Sequence, residues 1–126
     1  MILPAVEIET APNPRHTVLW LHGLGADGHD FEPIVPALVD PAWLPLRFVF
    51  PHAPVRPITL NGGMAMRGWY DIVSLDLAQR EDEAGVRESI SHVIALIARE
   101  AERGVAPERL ILAGFSQGGA IALAAG

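Results

Sequence analysis

The sequence has no cysteine and no lysine. Without cysteine there is no disulfide, no thiol nucleophile and no Cys-ligated metal site. All 9 basic residues are arginine, which removes a Schiff-base lysine, a P-loop lysine and a Ser–Lys dyad. Charge is sparse, at 19% of residues, and acidic in balance, with a formal net charge of −6. Such a domain, with no basic stripe, is not built for nucleic acid or an anionic membrane surface. No apolar stretch approaches the roughly 18 residues that a membrane span needs. The N-terminus, MILPAVEIET, lacks a positive region before its apolar residues and does not read as a signal peptide. Asn13 and Asn61 are not followed by x-Ser/Thr, so N-glycosylation is not expected. The expected compartment is cytoplasmic.

What is present is one domain's worth of chain. Of 126 residues, 50% are hydrophobic, which excludes disorder as the main state. A chain of this size buries roughly 65% of its extended surface.

Buried-strand patterns alternate with helical ones. Ala5–Glu9 (AVEIE) alternates as a half-exposed strand. Thr17–Leu21 (TVLWL), Arg47–Phe50 (RFVF) and Leu110–Ala113 (LILA) are near-continuous apolar runs suited to strands covered on both faces. Asp30 is placed to cap a short helix over Pro33–Val39. The longest helix is predicted from Glu83 to Arg103. Its apolar stripe is Val86, Ile90, Val93, Ile94, Ile97 and Ala101, with Gly104 as the stop. Residues 51–68 form a long Pro/Gly-rich loop, of the kind that usually serves function. A short extended piece is expected over Trp69–Val73. This order implies a mostly parallel sheet with helices on both faces and chemistry beyond the carboxyl ends of the strands.

Two Gly-rich loops fall at those ends. Gly114-Phe115-Ser116-Gln117-Gly118 fits G-x-S-x-G between a strand and a helix, the context of a nucleophile elbow. Small residues on either side of Ser116 let neighbouring backbone pass close by. The helix that follows turns its N–H groups toward a developing oxyanion. Leu21-His22-Gly23-Leu24-Gly25 is the second loop. An oxyanion hole needs the N–H after the nucleophile, here Gln117, and a second N–H from an earlier strand-to-helix loop, here Leu24.

Gly23, Gly25 and Gly28 also spell the dinucleotide fingerprint G-x-G-x-x-G. That reading needs an acidic residue at the end of the next strand, where Phe50-Pro51-His52 stands instead. None of His16, His22, His29, His52 and His92 has metal-ligand spacing. Asp27, His29 and Asp30 read as turn residues, and His22 and His52 as partners of loop backbone rather than as the catalytic base. Trp69, with Leu60 and Met64, reads either as the wall of an acyl pocket or as a core anchor for its loop.

These blocks resemble a known family. LHGLGADGHDF, PHAPVRPITLNGGMAMRGWYDI, EDEAGVRESI and RLILAGFSQGGAIAL are similar to the α/β-hydrolase carboxylesterases related to acyl-protein thioesterases and lysophospholipases. The resemblance implies Ser116 as nucleophile, the Leu24 and Gln117 N–H groups as oxyanion hole, and a substrate-binding border that includes Leu60, Met64 and Trp69. It implies hydrolysis of a small-molecule or lipid-like ester or thioester, with no cofactor; the histidine spacing already gives no metal site. The family's acid and histidine follow the nucleophile, and residues 117–126 hold neither Asp nor His. Residues 1–126 are therefore expected to be a single partial domain, the N-terminal half of an α/β-hydrolase fold truncated after the nucleophile helix. Expressed alone, it is expected to be inactive and to form a homodimer or associate through the exposed edge of its sheet. A non-catalytic acyl-binding module is the alternative.

Overall fold

The computed structural model describes residues 2–40, 42–72 and 82–126. A four-stranded sheet organises them. Strand β1 is Ala5–Glu9, β2 His16–Leu21, β3 Leu46–Pro51 and β6 Leu110–Gly114, in the spatial order β1-β3-β2-β6. The pairs β2–β3 and β2–β6 are parallel, while β1 runs antiparallel along β3 at one edge. All four strands lie where the sequence predicts them, because runs of β-branched and aromatic residues suit a pleated surface.

Successive residues of the central strands serve opposite faces. Leu19, Leu21 and Val49 join Val93, Leu96, Ile121 and Ala122 in one core. Val18, Phe48 and Phe50 join Val35 on the other face, with Trp20 and Phe31 packed against them. The first face is covered by helices α2, Glu83–Glu102, and α3, Gln117–Ala125. The second is covered by a 3-10 turn, Glu32–Ile34, and a single-turn helix α1, Val35–Leu38. Asp30 does not cap that helix. Its carboxylate accepts from the Asp27 N–H, and the first turn starts at Phe31 without a side-chain cap.

Two further expectations are corrected. Residues 51–68 are not simply a loop, because β4, Val55–Ile58, and β5, Met64–Arg67, pair as an antiparallel hairpin. The turn between them carries Gly62 and Gly63 at φ 66° and 79°, conformations that glycine adopts without a Cβ penalty. The extended piece expected over Trp69–Val73 is not a strand at Trp69–Ile72, and Val73 lies outside the described residues.

Helix α2 begins where expected, with the Asp82 side chain accepting from Gly85 N–H, and ends before Gly104 at φ 93°. Its buried face is rotated from the predicted stripe, however. Gly85, Ser89, Val93, Leu96 and Glu100 are buried, whereas Ile94 is exposed. Apolar periodicity misplaces the face because two of the buried residues are polar and find partners inside.

Glu100 is one of those two. It receives the Thr17 hydroxyl at 2.6 Å, the Arg47 guanidinium at 2.9 Å and Arg103. Burial opposes its charge, but these donors outweigh it and hold the carboxyl below its ordinary value of 4.5. The network ties the end of α2 to the amino ends of β2 and β3. An open cavity of about 450 Å³ beside Arg15, Arg47 and Arg103 belongs to this end of the sheet, opposite Ser116. No described helix is long and apolar enough to cross a membrane.

Candidate active site

Strand β6 ends at Gly114 and α3 begins at Gln117, which leaves two residues to reverse the chain. Ser116 takes up the turn at φ 54°, ψ −117°, a backbone state that costs a non-glycine residue on the order of 1–3 kcal/mol. Glycines make the turn possible. A methyl group on Gly114 would lie 2.4 Å from the Gly118 carbonyl oxygen, and one on Gly118 only 2.3 Å from that of Leu21. The Phe115 N–H donates to the same Leu21 oxygen at 3.0 Å, which stitches the elbow to the end of β2. Ser116 is exposed above the sheet.

The loop after β2 lies against this elbow. A Cβ on Gly23 would be 3.6 Å from the Ser116 Cβ and 3.3 Å from the Phe115 ring. Among the described residues, neither the Leu24 nor the Gln117 backbone N–H has a protein acceptor. Two unspent donors thus flank an exposed serine, the arrangement that an oxyanion hole requires.

His22 is buried beneath them. The Ala53 N–H donates to its Nε2 at 3.0 Å, so Nδ1 carries the proton and donates to the Gly23 carbonyl at 2.7 Å. Burial pushes its pKa below 6.5. His52 accepts the Gly28 N–H on Nδ1 at 3.0 Å, and burial, then Arg67, lowers its pKa as well. Both histidines serve loop backbone, and His22 has no free nitrogen to act as a base.

Residues 27–30 close a turn. The Asp27 carboxylate accepts from the His29 N–H and that of Asp30 from the Asp27 N–H. No group of three potential metal ligands is assembled among the described residues. Gly28 in the apparent dinucleotide motif has a packing reason, since its Cβ would lie 2.3 Å from the Phe50 carbonyl oxygen.

Hairpin β4–β5 borders the loop after β2. The Gly25 N–H donates to the Arg67 carbonyl at 2.9 Å, and the Leu24 side chain lies over Gly68. Leu60 and Met64 are exposed, at the turn end of this hairpin. Trp69 differs. It is fully buried and presents no surface to a substrate, so its place in the fold is that of an anchor. Its backbone N–H donates to Gln117 Oε1 at 2.7 Å, its indole N–H donates to the His22 carbonyl at 2.8 Å, and its own carbonyl accepts from the Ser89 hydroxyl. Gln117 Nε2 donates to the Tyr70 carbonyl at 2.8 Å. The sequence reading misses the Gln117 side chain and Ser89. Nothing local marks either one, since their partners are 48 and 20 residues away.

Known proteins share this arrangement of loops and strands. Residues 4–126 match the family described as Phospholipase/Carboxylesterase. Acyl-protein thioesterase 1 of Neurospora crassa is 41% identical over 132 residues, which is 100% of this chain and 52% of that protein. The protein of the same name in Cryptococcus neoformans is 40% identical over 121 residues, 92% of this chain and 50% of that one. The crystal structure of Arabidopsis thaliana SOBER1 superposes with a TM-score of 0.81 at 38% identity, covering 88% of this chain and 54% of its own. Zea mays acyl-protein thioesterase 2 gives 0.76 at 28% identity, over 97% and 51%. This chain spans about half the length of the curated relatives it matches. With the family model matched over residues 4–126 and the strands superposing on those of a relative at 38% identity, the chain belongs to the Phospholipase/Carboxylesterase family of α/β-hydrolases.

Proposed function

We propose that the full-length protein hydrolyses carboxylic esters or thioesters through an acyl-enzyme on Ser116. The observation that carries this reading is an exposed serine at φ 54°, held against a loop whose Leu24 N–H, like that of Gln117, has no protein acceptor among the described residues. A serine hydroxyl is too weakly acidic to attack unaided at neutral pH. In this reading a histidine C-terminal to Ser116, oriented by an acid, takes the hydroxyl proton as Oγ bonds to the acyl carbon. The carbonyl oxygen becomes an oxyanion and receives the Leu24 and Gln117 N–H groups. Collapse breaks the bond to the alcohol or thiol, which leaves with the proton. Water then releases the acid by the same steps. Relatives of about 40% identity are named acyl-protein thioesterase 1, which supports the reaction class.

The exposed apolar side chains of Leu60 and Met64 favour an acyl chain, of short to medium length, over a small charged acid. The test is labelling of the full-length protein by a serine-directed fluorophosphonate, beside a chain-length series of nitrophenyl esters. Labelling and turnover should vanish in Ser116→Ala. Equal labelling of that variant would refute the nucleophile. Acyl-chain binding without turnover in the parent would instead indicate a binding module. Fastest hydrolysis of acetyl or palmitoyl esters would contradict the chain length.

A further inference from the structure

We propose that Trp69 is a positioning residue that sets the spacing of the two oxyanion donors; this rests on the serine-hydrolase reading above. The two donors come from segments far apart in sequence, Leu24 after β2 and Gln117 at the start of α3. A transition state needs both N–H groups at fixed places around one oxygen, and the benefit depends on their being in place beforehand. Something must hold the two segments in register on the open side of the sheet. Trp69 touches both.

Its backbone N–H donates to Gln117 Oε1 at 2.7 Å, and Gln117 Nε2 returns a bond to the Tyr70 carbonyl at 2.8 Å. The residue that carries one donor is thereby clamped by its side chain to segment 69–70. On the other side the Trp69 indole N–H donates to the His22 carbonyl at 2.8 Å, and its ring lies 5.3 Å from the imidazole of His22. That imidazole donates to the Gly23 carbonyl at 2.7 Å, and the Ala26 N–H reaches the same oxygen at 3.2 Å. The Gly23 carbonyl and the Leu24 N–H belong to one trans peptide plane and point in opposite directions. Holding the carbonyl therefore aims the N–H away from the imidazole. The chain of contacts runs from the Gln117 donor through Trp69 and His22 to the Leu24 donor.

Trp69 is itself fixed. It is fully buried, and its carbonyl accepts from Ser89, buried on α2. Every polar group of the residue is thus committed, and each commitment links a different element. A phenylalanine would fill this core space without the bond to His22, and burial alone does not require the pairing of the 69–70 backbone with the side chain of Gln117.

The test uses the full-length protein. Trp69→Phe keeps an aromatic ring and removes the indole N–H, while Gln117→Met keeps the backbone donor and removes the clamp. Losing one donor outright costs about 10²–10³ in turnover. A donor loosened but not lost should cost about tenfold, since a misplacement of about 1 Å costs about 10². The expected result for each variant is a kcat about tenfold lower, with KM within about twofold. A trifluoromethyl ketone bearing the same acyl chain, which forms an oxyanion on Ser116, should weaken by the same factor as kcat. The double variant should lose no more than the worse single one, because both changes cut one linkage. An unchanged kcat, or a raised KM at constant kcat, would overturn the proposal, the latter by making Trp69 a substrate wall. Where Trp69→Phe does not fold, Gln117→Met is judged by the same criteria. Failure of both to fold would make the linkage a folding element only and overturn the proposal too. Activity that survives Ser116→Ala defeats the nucleophile. Where Ser116→Ala abolishes activity but Trp69→Phe, with Ser116 intact, leaves the kinetics unchanged, the positioning role alone is defeated.

Discussion

Adding a methyl group at Gly118 should damage this protein far more than adding one at the next position. Both glycines lie in the first turn of α3, so alanine brings each a helix-propensity gain of at most about 1 kcal/mol. The surroundings differ. At Gly118 the new Cβ would meet the Leu21 carbonyl oxygen at 2.3 Å and that of His22 at 2.4 Å. Ordinary contact begins near 3.4 Å, so α3 and the end of β2 must separate by about 1 Å. Neither partner is a flexible side chain, and the cost of overpacking, about 1–3 kcal/mol, exceeds the propensity gain. At Gly119 the nearest atom, the Gly114 carbonyl oxygen, would be 3.2 Å away, which a shift of a few tenths of an ångström relieves. Gly119→Ala should therefore be close to neutral.

Function amplifies the contrast. The displaced atoms are those between the Ser116 elbow and the His22–Leu24 loop, and a 1 Å error in placement costs about 10² in rate. Urea unfolding and ester turnover of the two full-length variants make the comparison. Gly118→Ala should lose about 1–3 kcal/mol and about 10² in kcat, and Gly119→Ala little of either. Equal stability and equal activity of the two variants would show that the tight approach of α3 to β2 does not govern the elbow.

Three further outcomes are expected. Ser116→Gly should be more stable than Ser116→Ala by about 1 kcal/mol in chemical denaturation, because glycine tolerates φ 54° and regains more strain than it loses in chain entropy; the reverse order would mean that the turn stores no strain. Glu100→Gln should remove an acid-side loss of stability. The Glu100 carboxyl is held below its ordinary value of 4.5, so its contribution is complete above that value and drains as pH falls through the lowered one; the variant should be less stable at pH 7, by on the order of 3 kcal/mol, with a flatter profile below pH 5, and identical acid profiles would refute the assignment. Residues 1–126 expressed alone should self-associate through β6, which pairs only with β2 in the described sheet and carries Ile111 at 61% exposure, with Phe115 just beyond it 59% and Leu123 on α3 86% exposed; sedimentation should show a larger monomer fraction for Ile111→Lys, and a monodisperse monomer of the parent would contradict this.

Local sequence was enough to mark the strands, the long helix and the two Gly-rich loops at the strand ends. Each depends on local physics: runs of β-formers, a helical apolar stripe stopped by Gly104, and small residues on either side of Ser116. Its family followed from motifs in a fixed order. Tertiary structure decided what depends on distant partners. Ser89 and Glu100 sit on the buried face of α2, against the apolar stripe, because Trp69 and the Thr17–Arg47–Arg103 group satisfy them inside. Within residues 51–68, Val55–Ile58 and Met64–Arg67 pair as a hairpin, and its register positions the Arg67 carbonyl against the Gly25 N–H. The tautomer of His22 is set by an N–H 31 residues away. Trp69 was open between wall and anchor in the sequence, because an aromatic in a loop suits either place. Burial and hydrogen bonding at both of its ends made it the anchor, since an indole with no exposed surface must spend its N–H on the protein.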